Sequence, residues 1–277
     1  MNTPTLQSRP DYGLDAPPVV RNLFLAAGAG LTLWAGARGG LWSGALRLPL
    51  GRDELRIMLA PAAASIGVTC LLMAVWMIWS SRIGKIHERE RLLDTLAWRG
   101  DEAVLDVGCG RGLMLVGAAR RLRTGHATGI DLWRGEDLAG NAPGAPLANA
   151  GAEGVRARVT VETADMCALP FRDASFDLVL SQAAVHNVPD ASGRRRAVEE
   201  MARVLRPGGT ILLADIRHLD DYTDALRGKQ LEASVEGSRL ARVLLGILTF
   251  GALRPGRVRA RRGTPRGLAG SGRPVQS

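Results

Sequence analysis

The feature that most constrains this chain is the run Val104-Leu105-Asp106-Val107-Gly108-Cys109-Gly110-Arg111-Gly112. An apolar strand runs directly into three glycines at alternate positions, and a helical segment, residues 113–122, follows. Glycine lets the backbone turn tightly and approach a ligand closely. Downstream, short apolar runs at 127–130, 158–163, 176–181 and 211–216 alternate with helical segments. The amphipathic segment 193–205 is stopped by Pro207-Gly208-Gly209. Strands and helices alternating at this spacing predict a Rossmann-like, doubly wound, mostly parallel sheet covered on both faces.

Glycines alone do not choose the ligand, because dinucleotide-binding proteins share the pattern. The acids around them say more. Asp106 stands just before the loop, where a carboxylate repels a pyrophosphate but can receive an ammonium group. Asp131 ends the next strand, in Thr128-Gly129-Ile130-Asp131-Leu132-Trp133, and can accept hydrogen bonds from ribose hydroxyls. Asp131 suits a nicotinamide dinucleotide equally well. Asp165, in Ala164-Asp165-Met166-Cys167-Ala168-Leu169-Pro170-Phe171, can accept an adenine amino group while Met166 packs on the ring.

With these segments and the later FDLVLSQAAVHNV and VLRPGGTILLADI, the chain from about Leu93 to about Arg262 resembles the class I S-adenosylmethionine (SAM)-dependent methyltransferases. The local pattern is most similar to small-molecule enzymes of the quinone and sterol methylase type. The resemblance implies a seven-stranded sheet with the last strand antiparallel. It implies cofactor contacts from Gly108, Gly110, Asp131, Asp165 and Met166, with Asp106, Leu132 and Ser181 beside them. Cys109 lines the methionine end through its backbone and is not a nucleophile. A closing hairpin is expected at 240–248 and 254–262, the first segment having a membrane-surface helix as its alternative.

Methyl transfer from a sulfonium is an in-line displacement in which the protein mainly positions the partners. A base is needed only when the acceptor must lose a proton. His186, in Ser181-Gln182-Ala183-Ala184-Val185-His186-Asn187, follows the fourth strand of the sheet at its carboxyl edge and is the candidate base. Its alternative role is to pin the loop by hydrogen bonds. His218 is a weaker candidate at the same edge. An Asn-Pro-Pro-Tyr motif, which marks many amino-methylating enzymes, is absent. That points away from DNA-adenine or glutamine substrates and toward a small-molecule or lipid acceptor.

The N-terminal third has another character. Residues 1–18 are polar, contain four prolines and are expected to be disordered. Residues 22–37 hold sixteen uncharged residues between Arg21 and Arg38, short for a membrane span. Residues 57–81 hold no charge over 25 residues, between Arg56 and Arg82, which is long enough to cross with tilt. Together, residues 19–82 are expected to form a membrane anchor of one or two helices. A charged run, 83–99, with Lys85, Arg89 and Arg91, reads as a juxtamembrane helix on the cytosolic side. That places the catalytic domain, 94–262, in the cytoplasm at the inner membrane.

The net charge is +9, concentrated toward the end in Arg254, Arg257, Arg259, Arg261, Arg262, Arg266 and Arg273. With a membrane segment in the chain, a basic tail at 263–277 suits an anionic leaflet. It has no interleaved aromatics, which disfavours nucleic acid as a partner. The three cysteines lack CxxC spacing and predict neither a disulfide framework nor a metal site. Three functions compete: a membrane-anchored methyltransferase, a non-catalytic SAM sensor or membrane scaffold, and an NAD-dependent oxidoreductase, which Asp106 opposes.

Overall fold

The computed structural model describes residues 9–50, 53–135, 140–238, 240, 243–244 and 255–264. The chain divides into two compact units: residues 12–88, and a larger unit made of 89–277 together with the segment up to residue 11.

The smaller unit opens with α1 (Pro17–Arg38), whose leading prolines have no amide that the first turn would leave unsatisfied. A hairpin of β1 (Ala45–Leu50) and β2 (Asp53–Met58) follows, antiparallel from Ala45↔Met58 to Leu50↔Asp53. Helix α2 (Leu59–Trp79) returns, continues through a π turn at Ser80–Gly84, and enters α3 (Lys85–Leu93). Helices α1 and α2 meet through small residues. A Cβ on Gly30 would lie 2.6 Å from the Ala63 carbonyl oxygen, so only glycine lets the two backbones come this close. Helix α1 begins five residues before the expected span, and residues 9–16 are placed rather than disordered.

The larger unit is a seven-stranded sheet in the order β5-β4-β3-β6-β7-β9-β8. Its elements are β3 (Ala103–Val107), α4 (Leu113–Ala119), β4 (His126–Asp131), α5 (Gly144–Ala152), β5 (Val159–Thr163), β6 (Phe176–Gln182), α6 (Ala191–Val204), β7 (Leu205–Asp215), α7 (Leu219–Gly228), β8 (Leu231–Glu236) and β9 (Gly256–Arg262). Strands β3 to β7 pair in parallel; β9 runs antiparallel to both β7 and β8. Successive strand side chains face opposite sides. Val104 therefore packs with Leu92, Leu93 and α4, while Leu105 and Val107 pack with α6 and α7. With both faces covered, the central strands β3 and β6 are buried nearly throughout rather than alternating.

Three expectations need correction. The first strand of the closing hairpin is β8 (Leu231–Glu236), not 240–248. Within 240–248 the described residues Leu240, Val243 and Leu244 are helical and exposed; the others lie outside the described residues. The apolar run imitated a buried strand, whereas the edge strand β8 alternates buried Leu231 and Ala233 with exposed residues. Next, Pro207-Gly208-Gly209 does not precede β7 but lies within it, at an irregularity where pairing shifts between Phe176 and Leu178. The juxtamembrane helix ends at Leu93, and Arg89 is not a surface charge. It is 1% exposed and bonds Glu153 at 3.0 Å, while Leu92 and Leu93 complete the core. The second strand of the hairpin, β9, falls within the expected 254–262 and carries four of the C-terminal arginines, of which Arg257 and Arg259 each pair with Glu236 at 2.9 Å. The tail from residue 265 onward lies outside the described residues.

Candidate active site

The carboxyl ends of β3, β4, β6 and β7 gather the site residues. At the end of β3 the chain turns back under β4, with the amides of Gly108 and Cys109 both donating to the Ile130 carbonyl at 2.9 Å. Gly108 has φ +72°, and a Cβ there would sit 2.3 Å from the Ala184 Cβ, so any other residue would be both strained and obstructed. The Met166 methyl lies 3.4 Å from the same point, which brings the β5 loop against the glycine loop as expected.

Asp106 is the most unusual group. It is 1% exposed, and neither carboxylate oxygen makes a well-formed hydrogen bond among the described residues, although the Leu115 amide faces it. Burial raises its pKa to about 7, the Leu115 amide opposes the rise and the Asp131 carboxylate adds to it. A buried acceptor left without a donor costs free energy and points to a donor that arrives with a ligand.

Asp131 is a hub. One oxygen accepts from the Gly110 amide at 2.9 Å; the other accepts from the Trp133 amide at 2.7 Å and Asn141 Nδ2 at 3.2 Å. A carboxylate offers about four lone-pair positions. Three protein donors leave about one position for a further donor. Leu132 is exposed beside it. Asp165 is exposed, and its Oδ1 accepts from the Cys167 amide at 2.8 Å, which fixes its side chain.

Two cofactor candidates have other occupations. The Cys109 thiol faces β4, where a Cβ on Gly129 would lie 2.8 Å from its sulfur. Burial pushes its pKa well up, with Asp106 and Asp131 adding to the effect, so it stays a neutral thiol and only its backbone borders the loop. Ser181 is buried, and its hydroxyl donates to the Val107 carbonyl at 2.9 Å, tying β6 to β3.

His186 sits on a short 3-10 turn after β6, with Nδ1 2.6 Å from Asp215 Oδ1. That oxygen also accepts the Ile216 amide at 2.7 Å, and the His186 amide donates to Oδ2 at 3.1 Å. Asp215 therefore acts as an acceptor, the ring proton lies on Nδ1, and the basic lone pair falls on Nε2. Tyr222 is buried, and its hydroxyl approaches Asp215 Oδ2 at 3.4 Å. Burial, followed by the Asp215 charge, raises its pKa and keeps it protonated. His218 is at φ +63°, heads α7 and lies 3.5 Å from Asp221. Its position is that of a helix cap.

Sequence reasoning missed Asp215, Asn141 and Gln182. Asn141 Oδ1 and Gln182 Oε1 are buried acceptors without partners among the described residues. No spacing rule singles them out. A polar residue ending a strand at the carboxyl edge, as Gln182 does, was the available signal.

Residues 105–213 match the family model described as a methyltransferase domain. Over those residues the chain is similar to a methyltransferase domain. The match runs from β3 to β7 and so includes the glycine loop, Asp131, Asp165, Met166 and His186. The chain is similar to Methyltransferase GfsG of Streptomyces halstedii, 35% identical over 140 residues, covering 50% of this chain and 47% of that protein. It is also similar to the ubiquinone/menaquinone biosynthesis C-methyltransferase UbiE of Roseobacter denitrificans, 31% identical over 131 residues, covering 47% and 49%. The chain spans about half the length of the curated relatives it matches. Among solved structures, geranyl diphosphate C-methyltransferase from Streptomyces coelicolor shares the fold at a TM-score of 0.51 and 16% identity, over 72% of this chain and 84% of that one. These matches support a class I methyltransferase domain with a Rossmann-like sheet and S-adenosylmethionine as its cofactor.

Proposed function

We propose that this protein is a membrane-held methyltransferase that uses S-adenosylmethionine to methylate a small, lipid-soluble acceptor. The observation that carries the proposal is Asp106, a buried carboxylate at the head of the glycine loop with neither oxygen in a well-formed hydrogen bond among the described residues. An α-ammonium supplies the donors and the charge this group needs; a pyrophosphate supplies neither. Asp131 and Asn141 would hold the ribose, and Asp165 with Met166 the adenine. The cofactor supplies a methyl group on a positively charged sulfur.

The chain's own residues do the rest. The carboxyl edge orients the acceptor's nucleophilic atom toward that methyl. The carbon–sulfur bond breaks as the new bond to the acceptor forms, and the electron pair stays on sulfur. Where the acceptor is a hydroxyl or an acidic carbon, its proton passes to His186 Nε2, and Asp215 stabilises the imidazolium. Gln182 Oε1 can accept a hydrogen bond from a polar group of the acceptor. This dyad favours an enzyme over a sensor.

The membrane part rests on α1 and α2, of 22 and 21 residues. At ~1.5 Å per residue each covers ~30 Å of hydrocarbon. Both are apolar enough to cross, and only a small share of either is buried. We place the hairpin of β1 and β2 outside the cell and the methyltransferase domain in the cytoplasm at the inner membrane. A quinone-type acceptor fits this arrangement and the UbiE-like relative.

The deciding experiment is calorimetric titration of the full chain in detergent with SAM, with NADH as control, followed by transfer of labelled methyl from SAM into lipid extracts. Saturable SAM binding and label in the lipid fraction are expected. Binding of NADH alone would reverse the cofactor assignment, and label only in water-soluble products would remove the lipid acceptor.

A further inference from the structure

We propose that the segment preceding α1 is a latch for the glycine loop, with Asp11 as its catch and Arg111 and Asn149 as its keepers. The proposal rests on the glycine loop being the cofactor loop. Asp11 lies far upstream of the matched residues 105–213, yet it is bonded to the middle of that loop.

Arg111 stands between Gly110 and Gly112, and its side chain is only 16% exposed. Its Nε donates to the Asp11 carbonyl at 2.8 Å, one terminal nitrogen to the Asp11 carboxylate at 2.6 Å, and the other to the Gly140 carbonyl at 3.1 Å. Asn149, on α5, is 4% exposed. Its Oδ1 accepts the Asp11 amide at 2.8 Å, and its Nδ2 donates to the carbonyls of Asp11 at 2.9 Å and Arg111 at 2.8 Å. A buried amide is costly unless its polar atoms are used. Here they are spent on one junction between the incoming strap and the loop.

An isolated exposed ion pair would contribute little. This contact is a network in which one arginine and one buried asparagine hold the same strap residue through backbone and side chain together. On the other side of the loop, Asp131 holds the Gly110 amide. The strap and Asp131 thus fix Gly110 and Arg111 from two directions, in a loop whose three glycines all have positive φ. Such a loop has alternatives in the absence of restraint, and the apparent affinity falls with the fraction of molecules in the competent form. Asp11 is accordingly a positioning residue: it acts on the cofactor through the loop.

The test is SAM titration of the full chain in detergent, as wild type and as Asp11→Ala, Asp11→Glu, Arg111→Ala and the double variant Asp11→Ala/Arg111→Ala. Asp11→Ala should raise the Kd for SAM about tenfold, leave kcat at saturating SAM unchanged, and speed amide exchange at 108–112. Asp11→Glu should recover part of the affinity. The double variant should be no worse than Arg111→Ala alone, since both remove one contact. Wild-type SAM binding with an Asp11→Ala Kd within about twofold of it, or a lowered Tm with no change in Kd, would overturn the latch alone. Failure of the wild type to bind SAM would instead overturn the cofactor assignment on which the latch depends.

Discussion

Leu180 in β6 and Leu72 in α2 are the same side chain in opposite situations. Leu180 is 0% exposed between two layers of helices, and Leu72 is 64% exposed. The contrast extends to their neighbours: Val104, Leu105 and Val179 are fully buried, while Leu25, Ile66, Val75 and Trp76 are exposed. Burying a large apolar side chain is worth ~1.5–3 kcal/mol. The sheet unit collects that stabilisation from its own two faces. Helices α1 and α2 pack on each other through a seam of small residues and leave many of their leucines and valines exposed. One region buries its apolar side chains within itself, and the other leaves many of them exposed, as the proposed bilayer placement requires.

The largest effect should come from α3, which continues the helical run of α2 yet packs into the sheet core. A chain shortened to begin after Trp98 loses buried Leu92, Leu93 and Leu96 and the Arg89–Glu153 pair. It should lose more than about 5 kcal/mol and its cooperative thermal transition, whereas a chain beginning at Lys85 should melt cooperatively in water. If both melt alike, α3 belongs with the anchor. Next, chemistry should be confined to the sheet's carboxyl edge. His186→Ala should lower turnover by ~10²–10⁴ with SAM affinity kept, and Asp215→Asn should lower it in the same direction. Unchanged turnover in both would reduce the dyad to a loop fastening.

Paired truncations test the comparison directly. Leu180→Ala should cost ~2–5 kcal/mol and lower Tm by several degrees, while Leu72→Ala should leave that Tm in place and weaken only bilayer partitioning. Equal shifts would mean that α2 is buried in water after all. The smallest effect is the pH dependence of Asp106. Its folded pKa of about 7 lies above the ordinary 3.8, so the folded protein holds this proton more tightly than the unfolded chain. Its contribution to stability is full below 3.8 and is lost as pH rises through 7. Asp106→Asn should flatten the ligand-free stability profile across that window. SAM binding, which needs the carboxylate ionised, should weaken below pH ~7 in the wild type only. A profile unchanged by the substitution would mean that another group titrates there.

Much of the sheet was legible from local pattern. The strands at 103–107 and 176–181 were placed within a residue, because buried parallel strands are short, continuous apolar runs with glycine or turn residues at their ends. The positions of Asp106, Gly108, Asp131, Met166 and His186 at or just beyond strand ends were legible from the same local pattern. The edge was harder. Strand β8, half exposed, has a weaker pattern than the apolar residues 240–248, and pattern strength chose wrongly between them. Arg89 was misread for a similar reason: nothing local marks an arginine whose partner, Glu153, stands 64 residues away at the end of α5.

By itself the sequence determined the class of the molecule: an α/β sheet with a glycine loop headed by an acid, preceded by two apolar segments of helical length. These are properties of period, length and residue type within short windows. Only the tertiary structure decided that Asp215 orients His186, that Asp131 holds the glycine loop, that α3 completes the sheet core, and that Asp11 reaches Arg111. Each of these is a contact between residues distant in the chain. Its energy depends on burial and geometry that no window of sequence contains.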